Sequence, residues 1–130
     1  VREHLMSPIE RAWAELERLI RRGLPARGRY KDFYVELTMV VRRYVQRQHG
    51  IKAPHLTTEE FFEATRNAES FPKSALDELI DFLRKADMVK FAGVQATPDT
   101  AETATASARA YIVKDNEITR RRDPQAERTD

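Results

Sequence analysis

Apolar residues recur at intervals of three and four along most of this chain, the repeat expected of helices that each bury one face. The first stripe is Ile9, Ala12, Trp13, Leu16, Leu19 and Ile20. Ser7-Pro8-Ile9-Glu10 opens it with a hydroxyl N-cap, a proline at the first helical position and a glutamate placed to close a capping box. Gly23 ends it, free to take a left-handed conformation, with Leu24 placed for the accompanying apolar contact and Pro25 barring continuation. Residues 25–29 read as a short basic connector.

The second stripe starts near Lys31 and runs through Phe33, Tyr34, Leu37, Val40, Val41, Tyr44 and Val45, wide enough for a central helix with neighbours on two sides. The β-branched residues around Val40–Val45 suit a strand, but the spacing is helical, and Gly50 marks the end. Ile51–Leu56, which contains Pro54, reads as extended. Thr57-Thr58-Glu59-Glu60 then forms a second capping box, with acidic groups in the first turn where they complement the helix dipole. Phe61, Phe62, Thr65 and Ala68 are the inner face of this shorter helix. A fourth helix begins around Pro72–Ser74 and carries Leu76, Leu79, Ile80, Leu83 and Ala86; Met88–Ala92 is either its last turn or a short extended segment before Gly93. Thr97-Pro98 opens a fifth, whose inner face is small: Ala101, Ala104, Ala108, Tyr111 and Ile112. Past Ile118 the chain becomes polar and carries no further apolar stripe.

The pattern therefore predicts an all-α fold of about five helices in a compact bundle. Its middle three helices form a trihelical, helix-turn-helix-like but wing-less arrangement. Trp13, Leu16, Phe33, Leu37, Val41, Tyr44, Phe61, Leu76, Leu79, Ile80, Leu83 and Tyr111 are the expected core. Residues 1–118 form one domain, and 119–130 a disordered polar tail. Composition agrees: 130 residues suffice for one core, and a mean hydropathy of -0.66 leaves no apolar run of membrane-spanning length. The start at Val1, with no signal-peptide pattern, reads as a fragment of a longer polypeptide.

Charge alters the picture through its distribution. The net charge is only +2, yet residues 1–31 hold 8 basic and 4 acidic side chains, whereas residues 57–88 hold 4 and 8. The front is basic and the middle acidic. Arg21, Arg22, Arg27 and Arg29 form a candidate basic surface, either a solvated helix end that complements the dipole or a patch for anionic lipid or an acidic partner. In the trihelical middle, the recognition helix would be residues 72–87, whose exposed Asp77, Glu78 and Asp81 would meet a phosphate backbone with like charge. Nucleic-acid binding is the alternative reading, and this surface opposes it.

Candidate chemistry is sparse. There is no cysteine, hence no disulfide framework and no thiolate. His4, His49 and His55 lack a supporting ligand cluster and read as surface histidines, so no metal is expected. Glu60 is explained by its capping box, Glu59 by the dipole, and Glu63 has no cleft to sit in. The four glycines are far apart and offer no phosphate loop. No catalytic residue and no cofactor are expected, and the chain reads as a non-enzyme.

Three segments carry a family likeness: Val41-Arg42-Arg43-Tyr44-Val45 through Gly50-Ile51-Lys52-Ala53-Pro54, Thr57-Thr58-Glu59-Glu60-Phe61, and Ala86-Asp87-Met88-Val89-Lys90-Phe91-Ala92. In order and spacing they resemble the cytoplasmic C-terminal region of bacterial BatD-like membrane proteins, encoded beside MoxR-type AAA+ ATPases and von Willebrand A-domain proteins. The resemblance spans roughly residues 9–113. It implies a helical domain following a transmembrane helix, on the cytoplasmic side of the inner membrane, with a scaffold or adaptor role in envelope stress or protein maturation. It assigns no catalytic residues. Arg42, Arg43, Asp87 and Lys90 are the charged members of these segments that a core does not need. They are either a buried ion pair from the second helix to the end of the fourth or a partner-docking surface.

Overall fold

The structure is a computed structural model that describes residues 6–91 and 95–122. Five helices follow one another: α1 (Pro8–Arg21), α2 (Tyr30–His49), α3 (Thr58–Asn67), α4 (Lys73–Phe91) and α5 (Pro98–Arg122). The fold is all-α, and no strand occurs among the described residues. His4, Ala92, Gly93 and residues 123–130 of the expected tail lie outside the described residues.

The helix boundaries follow from local chemistry. Ser7 Oγ accepts from the Glu10 N–H at 3.3 Å while the Glu10 carboxylate accepts from the Ser7 N–H at 2.9 Å. Thr57 and Glu60 repeat the box at 3.1 and 2.8 Å at the start of α3. At α5 the same reciprocal pattern is made by two hydroxyls, with Thr97 Oγ1 accepting from the Thr100 N–H and Thr100 Oγ1 from the Thr97 N–H. Gly50 ends α2 at φ 75°, a left-handed position where its N–H reaches the Gln46 carbonyl at 2.8 Å.

Helix α2 is the axle of the bundle: α1, α4 and α5 all pack on it, and α5 also lies along α4. Its buried residues come from more than one face: Phe33, Tyr34, Leu37, Val40, Val41, Tyr44 and Val45. Nine of the twelve expected core residues are buried, and Trp13, Leu76 and Ile80 pack against the core while staying partly exposed.

Several expectations need correction. Ile20 is 45% exposed, because α1 rests on α2 through the narrower stripe Ala12, Leu16 and Leu19. Residues 53–55 form a 3-10 turn within the segment 51–56 that reads as extended, held by the Arg42 guanidinium. Of the two readings left open for residues 88–92, the described residues 88–91 bear out the last turn of α4. Helix α5 runs four residues past the expected domain boundary, to Arg122, with arginines at its last turn that complement the dipole.

Candidate functional site

Three polar clusters are anchored on α2, which presents Arg42, Arg43 and His49 in different directions. A helix advances 100° per residue, so the adjacent Arg42 and Arg43 cannot serve one site.

Arg42 is 6% exposed. Its Nη1 donates to the Ala53 carbonyl at 3.0 Å and to the Leu56 carbonyl, and its Nη2 donates to Thr58 Oγ1 at 3.2 Å. Thr58 passes the connection on, donating to Asp87 Oδ2 at 2.8 Å, and Lys90 pairs with Asp87 Oδ1 at 3.2 Å. Burial pushes the Arg42 pKa down, and the nearby Asp87 charge opposes that shift. The guanidinium also lies over the Phe61 ring, 5.6 Å from its centre. Arg42, Asp87 and Lys90 are therefore brought together, but through Thr58 rather than by a direct pair. They staple α2, the 3-10 turn, the start of α3 and the end of α4.

Arg43 belongs elsewhere. With Arg47 it holds the Glu15 carboxylate of α1, at 2.7 and 2.6 Å, one oxygen for each guanidinium. Burial acts to raise the Glu15 carboxyl, but the hydrogen bonds and charges of Arg43 and Arg47 outweigh it and keep it below the usual value. This trio sits in a groove between α1 and α2 of about 520 Å³, into which Arg11, Arg18 and Arg22 also project. Five guanidiniums and two carboxylates, Glu15 and Glu36, line it.

The expected basic surface is divided. Arg22 joins this groove, Arg21 pairs with Glu17 at 2.7 Å, Arg29 pairs with Asp32 at 2.6 Å, and Arg27 is exposed on the 3-10 turn of residues 25–27. Both ion pairs are open to solvent and contribute little to stability.

The third cluster escaped the sequence reading. Asp115 of α5 is fully buried and accepts from Tyr44 Oη at 2.6 Å, Tyr111 Oη at 3.3 Å and His49 Nε2 at 2.8 Å. A carboxylate only accepts, so His49 Nε2, which lies 2.8 and 2.9 Å from the two carboxylate oxygens, is the donor of this contact. His49 is not a surface group: its side chain is 3% exposed and its ring lies 4.8 Å from that of Phe71. Burial, and then the Asp115 charge, push the Tyr44 and Tyr111 hydroxyls well above the usual tyrosine range. The available signal was position. Asp115 follows Ala108, Tyr111 and Ile112 on the inner stripe of α5, where a carboxylate needs donors.

No known protein family, curated protein or solved structure matches this chain. Among the described residues, no three His, Asp or Glu side chains converge as a metal site, and no helix is long and apolar enough to cross a membrane. The basic groups of the candidate recognition helix α4 have partners within the chain, although the Lys85 pair is open to solvent. Lys73 caps the carbonyls of Thr65, Arg66 and Ala68, Arg84 covers the Phe62 ring, and Lys85 pairs with Asp81.

Proposed function

We propose that this chain is a non-catalytic protein-interaction domain, acting as a scaffold or adaptor at the cytoplasmic face of a bacterial inner membrane. Its partners are a MoxR-type AAA+ ATPase or a von Willebrand A-domain protein, and a transmembrane helix upstream of this chain supplies the anchor. The family and localisation rest on the three segments named above, whose resemblance to BatD-like proteins is the ground for both. The interaction role rests on one observation: the α1/α2 groove gathers five guanidiniums against two carboxylates. The buried titratable groups, by contrast, are taken up in joining helices. Asp115 has three donors, and Arg42 is spent on main-chain carbonyls and Thr58.

The test is affinity purification of the full-length protein from detergent-solubilised membranes, followed by mass spectrometry. Recovery of an ATPase or A-domain partner supports the reading, and repeated failure to recover either overturns it. A salt-dependent shift of duplex DNA at moderate ionic strength would replace it with a nucleic-acid role.

A further inference from the structure

The groove between α1 and α2 has a regular construction. Helix α1 contributes Arg11, Glu15, Arg18 and Arg22, and α2 contributes Glu36, Val40, Arg43 and Arg47. Each set follows the spacing i, i+4, i+7, i+11, which keeps a helix on one line. At 1.5 Å per residue, each line is about 16 Å long. The helices run antiparallel, since Glu15 meets Arg43 and Arg47 while Leu19 and Arg22 share the groove with Glu36 and Val40. Its floor is closed by Leu19 and Val40, which are 4% and 3% exposed.

Glu15 neutralises only part of this charge. Arg11 and Arg22 make no side-chain hydrogen bond or ion pair with the described residues, although both project into a groove already rich in cations. Their repulsion is tolerated because Arg22 is exposed and Arg11 half-exposed to water. A bound anion would relieve it, and the planar fork of each guanidinium matches a carboxylate in bidentate geometry.

We infer that this groove binds an acidic segment of a partner protein in extended form, with carboxylates on alternate residues. The inference rests on the interaction role proposed above and names its site and chemistry. In an extended segment alternate side chains face the same way about 7 Å apart, so three carboxylates span the groove. A polynucleotide fits less well. No aromatic side chain lines the groove for its bases to stack on.

The test uses the full chain, with an amide NMR titration by a capped peptide of about six residues alternating glutamate and serine. The control peptide has glutamine for glutamate. Binding is expected for the acidic peptide alone, with shifts confined to α1 and α2. It should weaken about tenfold in the Arg11→Glu, Arg22→Glu double variant, and similarly on raising NaCl from about 50 to about 300 mM. Neither arginine has an internal partner among the described residues, so this variant keeps its fold, and an unchanged Tm verifies that. The Arg27→Glu, Arg29→Glu variant makes the same charge change off the groove and should bind normally. Equal binding of the glutamine peptide, or indifference to the groove variant, overturns the inference. So does groove-dependent binding to phosphatidylglycerol vesicles or duplex DNA that exceeds binding to the peptide. The two proposals fail separately: a groove variant that still co-purifies with the ATPase removes the site and leaves the role, whereas peptide binding without any recovered partner removes the role and leaves the site.

Discussion

Glu15 shows how one residue serves two ends. It joins α1 to α2 through Arg43 and Arg47, and it holds two of the five groove cations in place. Because the fold lowers its pKa, the folded state favours the ionised carboxylate. That stabilisation is complete above the unfolded carboxylate value and is lost as pH falls through the lower folded one. Glu10 and Glu60 are lowered too, each by main-chain and side-chain hydrogen bonds to its N-cap residue. Thermal melts between about pH 7 and pH 2 should therefore show Tm falling on the acid side. Glu15→Gln should start lower at neutral pH and fall less steeply. A variant whose acid profile parallels the parent would exclude Glu15 as a contributor. The tyrosines act at the other end of the scale. Tyr44 and Tyr111 are raised, so what their neutral hydroxyls contribute is present below about pH 10 and is lost as pH climbs beyond it.

At the scale of the element, helix ends were legible and connections were not. Three N-termini are written in adjacent residues, so Ser7, Thr57 and Thr97 could be read directly, whereas α2 starts after Arg29 with no side-chain cap. Thr57→Ala should cost about 1 kcal/mol by urea denaturation and raise hydrogen exchange mainly in the first turn of α3. Gly50→Ala should cost a similar amount, about 1 kcal/mol, for a different reason. A Cβ there meets nothing within 4 Å, so the penalty is the left-handed backbone alone. A loss well above that for Gly50→Ala would mean that the turn after α2 has rearranged. Residues 53–55 were misread because their shape is set from eleven residues upstream. Arg42 collects the Ala53 and Leu56 carbonyls and favours a 3-10 turn over an extended run. Periodicity has no access to such a long-range bond. Nor could it separate Arg42 from Arg43 by role, since that depends on which neighbour each face meets.

Across the whole molecule, the hydrophobic stripes sufficed for the all-α class and most of the core, because burial on a helix face is a local pattern. What they missed lies where elements meet. Phe71 sits in a connector without periodicity, yet it is fully buried against His49. Asp115 is a charge on an apolar stripe, readable only once Tyr44 and His49 of α2 are known to face it. Asp115→Ala should cost about 3–5 kcal/mol in urea denaturation, since three buried donors lose their acceptor together. Near-UV CD from the two tyrosines, which pack edge to face at 6.4 Å, should weaken in the same variant. A loss under about 1 kcal/mol would mean that water replaces the carboxylate, and that the cluster contributes little to stability.

The position of Asp115 also bears on how the domain is made. Its partners Tyr44 and His49 lie 71 and 66 residues earlier in the chain. During synthesis, the α1–α2 hairpin can form from local contacts while those two side chains still face water or a non-native neighbour. Only when the end of α5 has left the ribosome can the carboxylate arrive and exclude water from the hydroxyls and the imidazole. The last helix thus closes a core that the first two began, and a nascent chain halted before it would expose the inner face of α2 to chaperones and proteases.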